Sequence, residues 1–145
     1  MKIKSGTHGF TIVELLVVIV VIGILAAITV VGYGGLSARA KDTKQDSSIG
    51  IIQKALAMYK SEFGRYPYAC SENPNLDCQI ASLEPYLTPN YLSTMPTVDK
   101  IGNVNAMYFA QADRYTILVP YSYKATCKLG VNPSSGYKST YPLCE

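Results

Sequence analysis

Residues 9–16 read GFTIVELL, and the fifteen residues that follow, VVIVVIGILAAITVV (17–31), carry no charge. The apolar segment from Phe10 to Val31 spans about 22 residues, or roughly 33 Å as a helix, which is enough to cross a hydrocarbon core of about 30 Å. One carboxylate, Glu14, lies near its start. A charge inside a bilayer costs roughly 2.5 kcal/mol or more, so Glu14 is a candidate functional residue that needs a partner.

The nine residues before this segment, MKIKSGTHG, are polar and basic. Their positive charge favours a cytoplasmic location for this end, which places everything beyond the segment outside. A conventional secretory signal peptide is an alternative, because Ala38-Arg39-Ala40 offers a small-residue cleavage site. The apolar run exceeds the usual length of about 7 to 15 residues and contains Glu14, which argues against that alternative.

Composition favours one domain attached to the apolar segment. The chain has 145 residues, 48% of them hydrophobic, which gives room for a single further core. Removing Lys2 and Lys4 from the 13 basic side chains leaves 11 against 10 acidic ones, so the charge does not support nucleic-acid binding as the main function. The basic residues just beyond the segment alternate with acids, which is more typical of a solvated helix face than of a lipid- or DNA-binding patch.

The residue inventory does not indicate catalysis. The only histidine, His8, precedes the apolar segment, and the acids beyond the segment are scattered along the chain. No nucleophile motif accompanies them. We therefore expect a protein that is not an enzyme and that holds no cofactor and no metal.

Four cysteines follow the apolar segment, and an even number there indicates two disulfides in an oxidising compartment. They are Cys70, Cys78, Cys127 and Cys144. Three pairings are possible, and we favour Cys70–Cys78 with Cys127–Cys144 because each closes a short loop among turn-forming residues. A zinc site is disfavoured because no pair has C-x-x-C spacing.

A second helical pattern follows the apolar segment. Apolar residues recur every three or four positions, which predicts an amphipathic helix over about 47–63 with one buried face. These residues are Ile49, Ile52, Leu56, Tyr59 and Phe63. Gly64 and Pro67 predict its end. Three glycines in the stretch 32–35 disfavour helix by about 1 kcal/mol each relative to alanine, so we expect a bend or a break there.

The remainder of the chain predicts a small antiparallel sheet. Residues 106–110 (AMYFA) and 115–121 (YTILVPY) are typical strands, with QADR (111–114) as a hairpin loop and a third strand near 123–127. One helical turn is expected over 81–87. The predicted fold is α+β, with a long N-terminal helix, part transmembrane and part amphipathic, packed on this sheet. The predicted divisions are a leader (1–9), a transmembrane helix (10–31) and a head (32–145).

Gly9, Phe10, Thr11 and Glu14, followed by GILAAI (23–28), resemble the precursors of the type IV pilin and pseudopilin family. The resemblance implies a pilin-like fold and cleavage between Gly9 and Phe10 by a membrane prepilin peptidase, which also methylates the new Phe10 amine. It further implies a filament in which Glu14 of one subunit pairs with the Phe10 amine of a neighbour. A membrane platform protein and a cytoplasmic ATPase would supply the energy for extraction from the lipid bilayer. The family's usual mid-helix proline is absent, and Val31 stands near its expected position.

Two functions within this family fit the sequence. The C-terminal cysteine pair favours a type IV pilin, a structural subunit of a surface filament for adhesion, twitching motility or DNA uptake. The stretch ASLEPYLTPNYLSTMP (81–96) instead resembles pseudopilins of type II secretion systems. Major pseudopilins bind calcium through acidic loop residues, whereas the only acid after Asp113 here is Glu145. We therefore expect a pilin that passes from the cytoplasmic membrane to the cell surface, with a pseudopilin as the alternative and a tethered or secreted domain as a remote one.

Mass spectrometry of the N-terminal peptide of the mature protein, taken from membranes and from filaments sheared off the cell, tests this interpretation. We expect the chain to begin at Phe10 and to carry a methyl group on its amine in both fractions. A chain that begins at Lys41, with no sheared material, would instead indicate a secreted domain released by ordinary signal peptidase and would contradict the role given to Glu14.

Overall fold

The structure is a computed structural model that describes residues 9–70, 77–133 and 140–144. Its elements are α1 (Ile12–Phe63), β1 (Cys78–Gln79), a 3-10 turn (Ile80–Leu83), α2 (Glu84–Leu87), β2 (Met107–Gln111), β3 (Arg114–Val119) and β4 (Cys127–Val131). The chain divides into two compact units, Met1–Ser37 and Ala38–Glu145. The second unit is called the head below. The predicted α+β architecture, a long helix with a small antiparallel sheet, is confirmed.

Helix α1 runs through residues 32–35, so of the two expected outcomes at the glycines, a bend or a break, the break is wrong. Helix propagation is cooperative, and long flanking segments on both sides offset a local cost of about 1 kcal/mol per glycine. The end of α1 is as predicted. Gly64 has a φ of 71° and its N–H donates to the carbonyl oxygen of Lys60 at 2.8 Å. This left-handed cap is one that glycine adopts at low steric cost.

The buried face of α1 builds the core of the head. Ile49, Ile52 and Leu56 are at most 2% exposed and join one apolar cluster with the sheet and the α2 region. The sheet and α2 region contribute buried residues to this cluster, among them Leu83, Leu87, Tyr108, Ile117 and Val119. The periodicity predicts that Phe63 lies on the buried face of α1, and this prediction is wrong because the residue is 54% exposed. It is the last residue of α1.

The sheet has four antiparallel strands in the order β1-β2-β3-β4. Gln111 pairs with Arg114, so the predicted hairpin closes through a two-residue turn. The predicted third strand over 123–127 is wrong, since β4 begins at Cys127. The backbone N–H groups of residues 122–124 are bonded to a helix carboxylate instead of to a neighbouring strand. The two-residue strand β1 is too short for a periodic pattern to reveal.

Disulfides join Cys70 to Cys78 and Cys127 to Cys144, the two pairs favoured from the sequence. The second disulfide accompanies backbone pairing between β4 and the C-terminal segment 142–144. The Lys128 N–H donates to the Pro142 carbonyl, and the Cys144 N–H donates to the Lys128 carbonyl, both at 2.8 Å. This segment therefore covers the outer edge of β4 at Lys128.

A buried carboxylate ties α1 to the loop between β3 and β4. Asp42 is 5% exposed, and its carboxylate accepts the backbone N–H groups of Ser122, Tyr123 and Lys124 at 2.6, 2.9 and 3.0 Å. Burial acts to raise the pKa of Asp42, but these three hydrogen bonds together outweigh it and lower the pKa below its ordinary value. Asp42 therefore stays ionised and holds the loop at neutral pH.

Gln45, one turn further along α1, bonds two loops at once. Its side-chain amide donates to the carbonyl oxygens of Asp99 and Pro120 at 2.9 and 3.1 Å, and its oxygen accepts the Asp99 N–H at 2.8 Å. The side chain is 1% exposed, so these bonds satisfy an amide that water does not reach. Asp42 and Gln45 form a polar clasp that fixes α1 against the loops.

Replacing Asp42 by asparagine tests this clasp. The amide side chain would retain one acceptor oxygen for three donors, so we expect the free energy of unfolding to fall by about 1–3 kcal/mol at pH 7. The wild-type contribution is present above the unfolded pKa of about 3.9 and is lost as the pH falls through the lower folded pKa, so D42N would flatten the acid limb of the stability curve. Denaturant titration of the full chain in detergent measures both effects.

The matched control is Asp99→Asn, which removes only an ion pair between exposed side chains, Lys44 and Asp99. We expect this variant to lose less than about 1 kcal/mol. Equal losses from the two variants would contradict the role of Asp42.

Candidate functional site

The start of α1 carries a reciprocal cap made by Thr11 and Glu14. The Glu14 N–H donates to the Thr11 hydroxyl oxygen at 3.2 Å. In return, oxygen Oε2 of Glu14 accepts the Thr11 N–H at 2.9 Å and the Thr11 hydroxyl at 2.8 Å. This is a capping box, in which each residue's side chain bonds the backbone N–H of the other, a donor that has no partner within the helix.

The capping box is the part of this site that the sequence analysis missed. The Thr-x-x-Glu spacing over residues 11–14 is its sequence signature and precedes an apolar run, so the pattern was available. By contrast, the hydroxyl of Thr29 donates to the carbonyl oxygens of Leu25 and Ala26 within the helix, at 3.2 and 2.9 Å. The two threonines of the apolar segment therefore have different roles.

Gly9 and Phe10 precede the first turn of α1, and both are exposed. Phe10 is 87% exposed. The peptide bond between them thus lies in a non-helical, open segment directly before the cap. A protease that binds extended backbone can reach such a bond without unwinding the helix.

The surface of α1 from residue 12 to residue 30 is apolar on every side. Its large hydrophobic side chains are all at least 48% exposed. By length and composition, α1 is the one helix in the described part of the chain that could cross a membrane. A helix that is hydrophobic all round requires lipid or other helices around it.

The described acids and cysteines offer no metal centre: within residues 9–70, 77–133 and 140–144, no group of three or more potential metal ligands lies together. Asp42 and Asp46, which are one turn apart on α1, are both bonded to loop 121–124.

The N-terminal segment and much of the rest of the chain are similar in sequence to known proteins. Residues 4–30 match the family described as the prokaryotic N-terminal methylation motif. The type II secretion system core protein G of Aeromonas hydrophila is 37% identical over 106 residues, 69% of this chain and 71% of that protein. The corresponding protein of Vibrio cholerae is 32% identical over 119 residues, 81% of this chain and 80% of that protein.

The type IV major pilin protein PilA of Myxococcus xanthus is 36% identical over 65 residues, 45% of this chain and 30% of that protein. No solved structure matches the chain.

The chain therefore belongs to the type IV pilin and pseudopilin family, whose precursors carry the N-terminal methylation motif. Its similarity to the core protein G relatives covers most of the chain and so extends into the head, whereas the PilA similarity covers less than half. The relatives thus favour the pseudopilin alternative over the surface pilus that the sequence analysis expected.

Replacing Thr11 by valine tests the cap. We expect the first turn of α1 to lose about 1 kcal/mol of stability, because a valine side chain cannot accept the Glu14 N–H. Amide hydrogen exchange of residues 12–15 in detergent micelles would become faster. Thr29→Val is the matched control, since its hydroxyl caps nothing, and unchanged exchange in T11V would contradict the capping box.

Proposed function

We propose that this protein is a pseudopilin, a structural and non-enzymatic subunit of the short filament of a type II secretion system. The observation that carries the proposal is the similarity to core protein G proteins across about 70–80% of both chains. In this proposal the subunit is inserted once in the cytoplasmic membrane with its N-terminus in the cytoplasm. The leader, residues 1–9, is removed there by a prepilin peptidase.

Cleavage after Gly9 would convert an uncharged peptide nitrogen into a positive amine on Phe10. The same enzyme would methylate this amine, which keeps its charge. Glu14 is the one carboxylate in the apolar part of the helix. A charge in a low-dielectric core is far less costly when it is paired, so the amine of one subunit and Glu14 of its neighbour would stabilise each other.

The capping box leaves Glu14 free to make this pair. Both bonds from Thr11 go to Oε2, and Oε1 accepts none from the described residues. Glu14 can therefore cap its own helix through one oxygen and receive a neighbour's amine at the other. Capping also fixes the carboxylate near the helix start, where a neighbouring N-terminus would approach.

The Glu14–Phe10 pair would set the stagger between parallel helices. The two residues are four positions apart, so a neighbour whose amine meets Glu14 is displaced by about 6 Å along the helix. Smooth surfaces of Val, Ile and Leu do not define such a displacement by themselves. The single charge pair would thus define the register between the helices, and the apolar surfaces would supply the contact area.

Assembly would move each α1 from lipid into a bundle of similar helices, so little hydrophobic free energy changes. The energy for extraction must then come from elsewhere, and a membrane platform protein coupled to a cytoplasmic ATPase would supply it. The partners are therefore the prepilin peptidase, further copies of the subunit, the assembly platform and the bilayer.

A type IV pilin is the second candidate, supported by the PilA similarity and by the disulfide-closed segment from Cys127 to Cys144. A strain that lacks the subunit separates the two. A pseudopilin predicts that secreted enzymes accumulate inside the cell envelope while surface filaments persist. Loss of surface filaments with normal enzyme secretion would overturn the pseudopilin proposal in favour of the pilin.

Two substitutions of Glu14 separate charge from capping. Glu14→Gln retains an oxygen for the capping box but removes the charge, whereas Glu14→Val removes both. We expect both variants to insert in the membrane and to be cleaved, and both to lose most filament assembly and secretion. Normal assembly by the glutamine variant would contradict the charge pair, while normal assembly by the valine variant would contradict any role of Glu14.

A further inference from the structure

The side of α1 that faces away from the core carries an apolar patch around an unpaired cation. Ile51 and Met58 are 43% and 47% exposed, and Lys54 is exposed between them. These three residues, the outer α1 patch, lie on the opposite side of the helix from Ile52 and Leu56. The Lys54 ammonium has no partner among the described residues, and its neighbours Ile51 and Met58 on the helix surface are apolar.

A second apolar patch surrounds an unpaired anion at α2. Glu84 is exposed and its carboxylate has no partner among residues 9–70, 77–133 and 140–144. Tyr86 and Phe63 beside it are 37% and 54% exposed, and both rings pack on Tyr59. These three residues, Phe63, Glu84 and Tyr86, form the α2 patch. The neighbouring Glu62 does not compete, because it accepts the hydroxyl of Tyr91.

We propose that the outer α1 patch of one copy docks on the α2 patch of the next copy, with Lys54 paired to Glu84. The inference rests on the proposed filament function and adds a contact between heads to the pairing of the N-terminal helices. The patches match in chemistry, since each has a single unpaired charge, of opposite sign, among exposed apolar side chains.

The two patches are different surfaces of the same head. A contact between unlike surfaces leaves one of each free on every pair, so further copies can add, as a ring where the rotation between copies closes and as an open filament where it does not. A self-complementary patch would instead stop at a dimer. The arrangement of the two patches is therefore compatible with the proposed filament.

The position of α2 indicates how far two heads in this contact are displaced. The Tyr86 ring lies 6.4 Å from that of Tyr59, so α2 lies beside the part of α1 that contains Tyr59. Lys54 precedes Tyr59 by five residues, so pairing Lys54 of one copy with Glu84 of another displaces the two heads by roughly 7.5 Å along α1.

The charge pair between the heads contributes little to affinity, as is usual for exposed pairs. It contributes mainly to the orientation of the two heads and to the selection of the correct partner surface.

Charge reversal with rescue tests the contact. Fibres are sheared from cells that overproduce the subunit with its assembly machinery, and their yield is measured at low salt. We expect Lys54→Glu and Glu84→Lys each to lower the yield roughly threefold or more, and the double variant to restore it. Lys100→Glu and Asp113→Lys are matched controls, since both residues are exposed and their side-chain charges are unpaired among the described residues. Single reversals that behave as the controls do, or a double variant without rescue, would overturn the proposal.

Cysteine cross-linking locates the contact directly. The variant with Lys54→Cys and Glu84→Cys is expected to give a ladder of covalent oligomers in fibres, whereas Lys100→Cys with Asp113→Cys gives none. Wild-type fibres and secretion without that ladder would overturn this head contact alone. Normal secretion by a strain that lacks the subunit would overturn the proposed function, and the head contact with it.

Discussion

One continuous helix must satisfy two different surroundings, and the rest of the structure follows from that constraint. From residue 12 to residue 30, α1 exposes apolar side chains on all sides, whereas from Asp42 onward one face is buried in the head. An α-helix can be stable in both surroundings because its backbone groups form hydrogen bonds within the helix and need no partner from the solvent. Only its ends require other partners, and these are Thr11 and Glu14 at one end and Gly64 at the other.

Along the sequence of α1, residues that make polar contacts with the rest of the head precede those that make apolar contacts. Asp42 accepts three backbone N–H groups of one loop, and Gln45 bonds to that loop and to a second one, just before Ile49 begins the apolar core. Hydrophobic contacts tolerate sliding, whereas hydrogen bonds to fixed backbone groups do not. The clasp therefore defines which turn of α1 faces the loops, and the core residues supply the stabilisation once that position is set.

Features that repeat along the sequence could be predicted from it, whereas features that depend on a contact with one distant residue could not. The stripe from Ile49 to Tyr59 and the alternation of strands β2 and β3 repeat over several residues, so each residue reinforces the next. Strand β4 cannot be placed from its own residues, because Asp42, about 80 residues away, takes the backbone donors of the preceding segment. At the N-terminus, resemblance and charge identify Gly9, Phe10 and Glu14, whereas only the Thr-x-x-Glu spacing indicates that Glu14 bonds to Thr11.

The C-terminal segment over β4 has a consequence for solubility. An open strand edge can recruit strands from other molecules, and the close packing of copies in the proposed filament would favour such misassembly. Residues 142–144 already occupy the edge at Lys128, and the bond between Cys127 and Cys144 keeps them there. Pairing of a further strand with β4 is thereby blocked at this point of the sheet edge.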